Sequence, residues 1–311
     1  MFISVIIPCY NVENYIEECI VSVLNQTYQD IEIICIDNNS SDRTFDKLQS
    51  LLQKYPTKIK VLQEFKKGAP AARNKGVSIA KGEWIQFLDA DDVLLPYKIE
   101  CQIALISKDK NLAIISGAYF RESLNKERTI NDMDEIDCFK AVFASLVGLT
   151  SANLFNRKKI IEIGGWNEDL LSSQEVDLMF RLIKVGGTME FDFSPNTVIR
   201  ERVSGQISQR NPVEKWTQYI HLRLEMLDFL RQKRPEYYEQ EIGYFQYKLF
   251  NAIRTLAIYD LNIASYFFDK YIDEKLIINN VYEKSLYLRV LRIAGFKWAE
   301  KLKKIVFRKS S

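Results

Sequence analysis

Hydrophobic and polar positions change in regular blocks over the first hundred residues. Phe2-Ile-Ser-Val-Ile-Ile7 is a short β-branched apolar run, which reads as a buried strand stopped by Pro8. From Asn14 to Gln26 the period becomes helical, with Tyr15, Cys19, Ile20, Val23 and Leu24 recurring on one face. Ile31-Glu-Ile-Ile-Cys-Ile36 reads as a second strand. A second helix follows from Asp42 to Tyr55, with Phe45, Leu48, Leu51 and Leu52 inward. Ile59-Lys-Val-Leu62 is a third strand, Ala69 to Ala80 a helix, and Trp84-Ile-Gln-Phe-Leu88 a fourth strand. Strands alternating with helices in this rhythm predict right-handed crossovers and a mostly parallel, Rossmann-like sheet covered on both faces, an α/β fold. Ligands of such sheets bind beyond the carboxyl ends of the strands. Chemistry is therefore expected just after Ile7, Ile36 and Leu88.

The pattern becomes mixed from Leu112 to about Arg202. Leu112 to Phe120 reads as one further strand, followed by a polar loop through Asp137. Helices are predicted near Phe139–Leu146 and from Gln174 to Val185, the latter ended by Gly186-Gly187. Beyond Pro212 the chain turns to long amphipathic helices rich in Tyr and Phe. The polar stretch from Ser204 to Pro212 marks the boundary, giving a domain at 1–208 and a helical region at 209–311.

Composition narrows the chemistry. Of 311 residues 47% are apolar and 27% charged, as in an ordered globular protein with room for a core and a cleft. With 43 basic and 41 acidic residues the net charge of +2 gives no basis for nucleic-acid binding through bulk charge. A single histidine, His221, excludes multi-histidine metal sites and lies in an amphipathic helix away from every motif, where a structural role is expected. Carboxylates, with or without a hard metal, must then do any catalysis. The five cysteines form no C-x-x-C and several lie in apolar runs, as small hydrophobes do. With no recognisable signal peptide, a reducing cytoplasm is the expected setting, and no apolar run approaches the length of a spanning helix.

Three constellations stand at the expected strand ends. Phe87-Leu-Asp-Ala-Asp-Asp92 sets three carboxylates after a buried strand, where like charges repel unless neutralised. A divalent cation shared with a diphosphate would neutralise them; a solvated turn capping the next helix is the alternative. Ile36-Asp-Asn-Asn-Ser-Ser-Asp42 offers Asp37 as a fixed acceptor for a nucleobase N–H or ribose hydroxyls, with Asn38 beside it and Ser41 or Asp42 as helix cap. Gly68-Ala-Pro-Ala-Ala-Arg-Asn-Lys-Gly76 lets a helix start close to an anion, with Arg73 and Asn74 as donors, or else packs tightly on the sheet.

Taken together, Ile6-Ile-Pro-Cys-Tyr-Asn11, Ile36 to Asp42, Ala71 to Gly76, Phe87 to Asp92, Gly164-Gly-Trp-Asn-Glu168 and Gln174-Glu-Val-Asp-Leu-Met-Phe-Arg181 resemble the inverting family 2 glycosyltransferases of the GT-A fold. The match covers roughly residues 1–205 and leaves the helical remainder uncovered. The resemblance implies that Pro8, Tyr10 and Glu13 form one wall of a nucleotide pocket, that Asp37 and Asn38 meet the base, and that Arg73 lines the pocket. It implies Asp91 as principal ligand of Mn²⁺ or Mg²⁺, with Asp89 supporting metal or ribose beside Ala90. It makes Glu175 the catalytic base, although Asp is commoner at that position. Trp166 and Gln174 become acceptor contacts, with a core role as the alternative for Trp166, and Arg200 and Arg202 diphosphate contacts.

Independently of the resemblance, Glu175 opens a helix, whose dipole favours the ionised form. Asp177 and Arg181 are spaced as a helical ion pair. The implied reaction is a single displacement from a nucleotide-sugar donor, a UDP-sugar foremost, onto a hydroxyl of a glycan or lipid-linked acceptor in surface-polysaccharide or lipooligosaccharide assembly. A nucleotidyltransferase is the rival enzyme, although its Gly-rich basic loop is missing after the first strand. A non-catalytic glycan-binding or assembly subunit is the rival of another class. Residues 285–309 carry eight basic residues against Glu300, with Leu288, Leu291, Trp298, Leu302 and Ile305 near one helical face. Such a tail suits the anionic inner face of a cell membrane, or else packs on the catalytic domain.

Overall fold

The computed structural model describes residues 1–106, 109–133, 136–201, 211–280 and 286–307. Two compact units divide it: Met1–Leu170 with Gln174–Gln206, and Leu171–Ser173 with Ile207–Ser311.

The first unit begins as its periodicity predicts, with β1 (Ile3–Cys9), α1 (Ile16–Leu24), β2 (Ile31–Asp37), α2 (Thr44–Lys54), β3 (Ile59–Gln63), α3 (Ala69–Ile79) and β4 (Trp84–Phe87). It continues through β5 (Val93–Leu94), α4 (Lys98–Ala104), β6 (Leu112–Gly117), β7 (Tyr119–Glu122), β8 (Arg128–Asn131) and α5 (Cys138–Ala144). A 3₁₀ turn (Thr150–Ala152), β9 (Leu154–Asn156), α6 (Arg157–Glu162), α7 (Gln174–Lys184), β10 (Thr188–Asp192) and β11 (Thr197–Arg200) complete it.

The main sheet has seven strands in the order β10-β6-β9-β4-β1-β2-β3, and β9 alone runs antiparallel to its neighbours. β2 is buried along its whole length and β1 at all but Pro8, as covered parallel strands are. Pro8 does not stop β1: it pairs with Ile36, and the strand runs to Cys9. Successive residues face alternate neighbours, and Ile6 faces β4 by accepting from Leu88 N–H. Pro8 then faces the same side beyond the last β4 partner, where its missing N–H costs nothing. α3 lies close on this sheet because Gly76 has no side chain; a Cβ there would stand 2.4 Å from Ile6 Cγ2.

The stretch from Leu112 to Phe120 is not one strand. It breaks at Ala118, so β6 stays in the main sheet while β7 joins a second sheet in the order β5-β11-β7-β8. β8 lies inside the stretch read from sequence as a polar loop.

The second unit consists of α8 (Pro212–Lys233), α9 (Pro235–Tyr259), α10 (Leu261–Tyr271), α11 (Glu274–Asn280) and α12 (Leu286–Phe307). Asn211 caps α8 by accepting from Glu214 N–H. Aromatic rings fill this core, Phe268 stacking on Phe296 with centroids 4.5 Å apart. His221, exposed on α8, meets Phe267 edge-on. α12 is kinked at Gly295 (φ 77°), so its apolar positions do not share one face. Leu291, Phe296 and Ala299 are buried, whereas Ile293, Trp298 and Leu302 are exposed. The Ile305 side chain, Arg308 and Lys309 lie outside what the structure describes. Among the described residues no helix is long and apolar enough to cross a membrane.

Candidate active site

The carboxyl ends of β1, β2 and β4 stand side by side, and the loops after them carry the acidic and amide residues singled out by sequence. Tyr10 is exposed just beyond β1. The β1–α1 and β2–α2 loops are laced together. Asn11 Oδ1 accepts from Ser41 N–H at 2.8 Å, Asp42 Oδ2 from Glu13 N–H at 3.1 Å, and Glu13 Oε2 from Arg43 N–H at 2.9 Å. The Glu13 carboxylate thus ties one loop to the other. Asp42 also accepts from Thr44 N–H at 3.0 Å at the start of α2, where Arg43 and not Ser41 or Asp42 holds the cap position.

Asp37 closes β2 and is only 1% exposed. Its Oδ2 accepts from Gln63 Nε2 at 3.3 Å, and Oδ1 has no partner among the described residues. Asn38 does not offer its amide to a ligand. Its Nδ2 donates to the carbonyls of Glu64 and Lys66, each at 2.8 Å, and its Oδ1 accepts from Gly68 N–H at 2.8 Å. All this builds the approach to α3, so its assignment to the base is corrected to a loop-holding role.

The acidic turn after β4 divides by burial. Ala90 is 3% exposed and belongs to the hydrophobic core, which removes it from a pocket lining. Its neighbours Asp89 and Asp91 are partly exposed. Arg73, reaching from α3, donates to Asp89 Oδ1 at 2.7 Å. Asp92 is buried, accepting from Ser151 Oγ at 2.6 Å and from Arg200 N–H at 3.1 Å. Burial first, and then Asp91 and Asp89, push its carboxyl well above the usual carboxylate range. It holds the turn and leaves Asp89 and Asp91 as the outward pair. Among the described residues no cluster of three metal-binding side chains is gathered. A pair of carboxylate donors nevertheless fits a hard cation such as Mg²⁺, which commonly takes its remaining ligands from substrate phosphates and water.

Trp166 is 2% exposed, which overturns its expected stacking on an acceptor sugar. Its face carries the Arg73 guanidinium, 4.5 Å from the ring centroid, and Phe87 meets it edge-on at 5.1 Å. Asn74 holds this loop, accepting from Trp166 N–H at 2.8 Å and donating to Trp166 O and Glu168 Oε1. Gly165, at φ 75°, is the one residue type that fits here, since a Cβ would stand 2.5 Å from Asn74 Oδ1. Arg181 donates to the carbonyls of Ile163 and Gly165 and pairs with Asp177 at 2.7 Å, the ion pair expected from their spacing.

Glu175 lies in the first turn of α7 and is half-buried. Its Oε2 accepts from Thr150 N–H at 3.0 Å and from the Thr150 hydroxyl. The helix-dipole expectation is reversed. Burial raises the Glu175 pKa above its ordinary value, an effect that the Thr150 hydrogen bonds and Arg73 reduce but do not cancel, and Asp89 adds to the rise. Gln174 directs its Nε2 to Leu170 O at 2.8 Å, which takes its amide nitrogen from acceptor contact.

Arg200 is held elsewhere than on a diphosphate. Its guanidinium makes a bidentate pair with Glu18 at 2.6 and 2.7 Å, and its Nε lies 3.3 Å from Glu122. Two carboxylates thus already neutralise the cation. Arg202 and Ser204 lie outside the described residues. Sequence reasoning missed Thr150, Ser151, Glu18 and Glu122: the first two answer a carboxylate's need of donors and the last two a guanidinium's need of acceptors.

A parallel-centred α/β sheet with acidic residues at its strand ends and a half-buried glutamate on a following helix is the architecture of the GT-A fold. The glycosyl transferase family 2 model matches residues 4–164, and the chain belongs to that family. It is 31% identical over 235 residues to an uncharacterized glycosyltransferase of Rickettsia felis, covering 70% of this chain and 38% of that protein. Over 118 residues it is 41% identical to the UDP-Glc:alpha-D-GlcNAc-diphosphoundecaprenol beta-1,3-glucosyltransferase WfgD of Escherichia coli, covering 38% of this chain and 45% of the relative. The chain thus spans less than half the length of either protein. Among solved structures, TarS 1–349 of S. aureus in complex with UDP-GlcNAc superimposes with a TM-score of 0.68 at 15% identity, covering all of this chain and 93% of that one. At that identity the likeness is one of fold.

Proposed function

We propose that the chain is an inverting glycosyltransferase that moves one sugar from a UDP-sugar to a hydroxyl of a glycan or lipid-linked acceptor. The observation that carries this reading is that the Thr150–Ala152 turn holds Glu175 through Thr150 and the acidic turn through Ser151, while Arg73 pairs with Asp89. The UDP-GlcNAc bound by TarS and the UDP-Glc and diphosphoundecaprenol in the Escherichia coli relative's name support the donor and acceptor classes.

Asp37 Oδ1, a buried acceptor without a partner among the described residues, suits an N–H of the uracil ring. Tyr10 and Pro8 border the same end of the sheet. Asp91 and Asp89 would hold Mn²⁺ or Mg²⁺, which when bound supplies Lewis-acid stabilisation of the nucleoside diphosphate leaving group. Arg73 keeps Asp89 in place through its ion pair and is itself held against the Trp166 face. Glu175 accepts the proton of the acceptor hydroxyl as that oxygen attacks the anomeric carbon opposite the departing diphosphate. One displacement inverts the configuration and needs no covalent intermediate.

α12 offers the surface for acceptor-rich membranes. Exposed Ile293, Trp298 and Leu302 are interleaved with exposed Arg289, Arg292, Lys297 and Lys301, a mixture that suits anionic headgroups over an apolar layer. Vesicles with phosphatidylglycerol should pellet the chain in low salt and vesicles of phosphatidylcholine should not. Equal pelleting of a K297E/K301E variant contradicts the assignment.

Thermal unfolding with a panel of nucleotide sugars and Mn²⁺ tests the donor. A UDP-sugar with Mn²⁺ should raise Tm beyond either alone, and release of pyrophosphate from UTP and a sugar 1-phosphate, with no UDP released from a UDP-sugar, would favour a nucleotidyltransferase. No shift across the panel contradicts the reading.

A further inference from the structure

The 3₁₀ turn Thr150–Ala152 touches both halves of the site at once. Thr150 and Ser151 are both buried, at 4% and 1% exposure, although neither belongs to a recognisable motif. Thr150 donates to Glu175 Oε2 through its N–H and through its hydroxyl. The hydroxyl of the next residue, Ser151, donates to Asp92 Oδ2 at 2.6 Å and accepts from Asp89 N–H at 3.0 Å. Its carbonyl accepts from Gln86 Nε2 on β4 at 2.8 Å and lies 3.4 Å from Thr197 Oγ1 on β11.

We infer that Thr150 and Ser151 are positioning residues, one fixing the base and the other the acidic turn, so that two consecutive residues set their mutual register. The inference rests on Glu175 being the base. Consecutive Cα atoms are about 3.8 Å apart across a trans peptide, so the two anchors cannot drift independently. That matters because a misplacement of about 1 Å in a reacting group costs on the order of 10²-fold in rate. Free glutamate has several rotatable bonds; two donors on Oε2 hold the carboxylate in one orientation. The Ser151 hydroxyl has its donor and an acceptor site both used, so a small side chain without a hydroxyl does not reproduce it. Losing it leaves the Asp89 N–H without its acceptor and Asp92 with one donor fewer.

The two halves predict different defects. Thr150→Val keeps shape and removes a hydroxyl that favours the ionised carboxylate, so it should lower kcat at unchanged donor KM. The Glu175 carboxyl also feels Arg73 on α3, Asp89 on the acidic turn and Tyr119 on β7, all of which the variant retains. Its pKa should therefore move up, carrying the acidic limb of the kcat profile to higher pH. Thr150→Ser, which keeps the hydroxyl, should restore both. Ser151→Ala should instead weaken binding of Mn²⁺ with UDP, measured by calorimetry without turnover, while Thr150→Val leaves that binding unchanged.

The experiment pairs those calorimetric titrations with UDP-release kinetics across pH, with Tm recorded for every variant. Expected are a kcat loss of about tenfold or more for Thr150→Val and a Kd rise of about tenfold for Ser151→Ala. Ser151→Cys, with a weak donor of similar size, takes its place if the alanine variant does not fold. A wild-type kcat and pH limb in Thr150→Val, failure of Thr150→Ser to restore them, or unchanged Mn²⁺–UDP affinity in the Ser151 variants overturns the inference. A wild-type chain that binds Mn²⁺–UDP but releases none from its sugar overturns the reading of Glu175, and the Thr150 half with it. The binding titrations decide Ser151 separately.

Discussion

Arg73 lies with its guanidinium carbon 4.5 Å from the centroid of the Trp166 ring while its Nη2 donates to Asp89. The indole is therefore a platform under a functional cation and a piece of core, edge-packed on Phe87. Trp166→Ala should destabilise the chain by about 3–5 kcal/mol, the range for deleting a buried tryptophan, and should also raise donor KM through Arg73. Trp166→Phe, which keeps an aromatic face, should lose less on both counts. Chemical unfolding with donor kinetics checks this; full stability with a raised acceptor KM alone would return Trp166 to the acceptor site.

Arg200 gives a second prediction. Its partners are the exposed Glu18 and the buried Glu122, and Glu122 keeps Arg128 at 2.9 Å when Arg200 is removed. Arg200→Ala should therefore cost about 1–3 kcal/mol, as for a buried acceptor that loses a donor, with donor KM little changed. A raised donor KM at wild-type stability would put this side chain on the diphosphate.

Lys98 should make stability depend on pH. It is 1% exposed and donates to Gln86 Oε1. Burial lowers its pKa from 10.5 to about 7, against the pull of Asp192. The unfolded chain keeps this proton to about pH 10 whereas the folded chain sheds it near neutrality, so between these values the unfolded state binds more protons. Stability should then rise with pH from about 7 to about 8.5, below the range where unfolded thiols ionise. Lys98→Met should flatten that rise whatever its effect on absolute Tm. The same slope in the variant would contradict the assignment.

Metal removal gives a fourth. Chelation should lower UDP release on the order of 10²-fold or more, and added Mn²⁺ or Mg²⁺ should restore it. Asp91→Asn should show the loss without the rescue. Full turnover in chelator would remove the cation from the scheme.

The sequence made the first half of the sheet legible because its strands are apolar runs between helices of clear 3.6-residue period. The second sheet was not, since its strands are two to four residues long and β8 is exposed throughout. Asp89 and Asp91 stood out because acidic residues crowd the end of a buried strand. Asn38, Ala90, Trp166 and Arg200 share one physical lesson: residue type in a motif does not say which way a side chain faces. Asn38 turns to its own loop, Ala90 and Trp166 turn into the core, and Arg200 meets carboxylates distant in sequence. Thr150 and Ser151 are ordinary polar residues by type, and only burial against Glu175 and Asp92 gives them meaning.

The most direct test is UDP release from a donor by Glu175→Gln, which keeps size and hydrogen bonding but cannot accept the proton. The account predicts a loss of roughly 10²–10⁴-fold with Mn²⁺–UDP binding retained. Turnover at the wild-type rate would contradict Glu175 as the base.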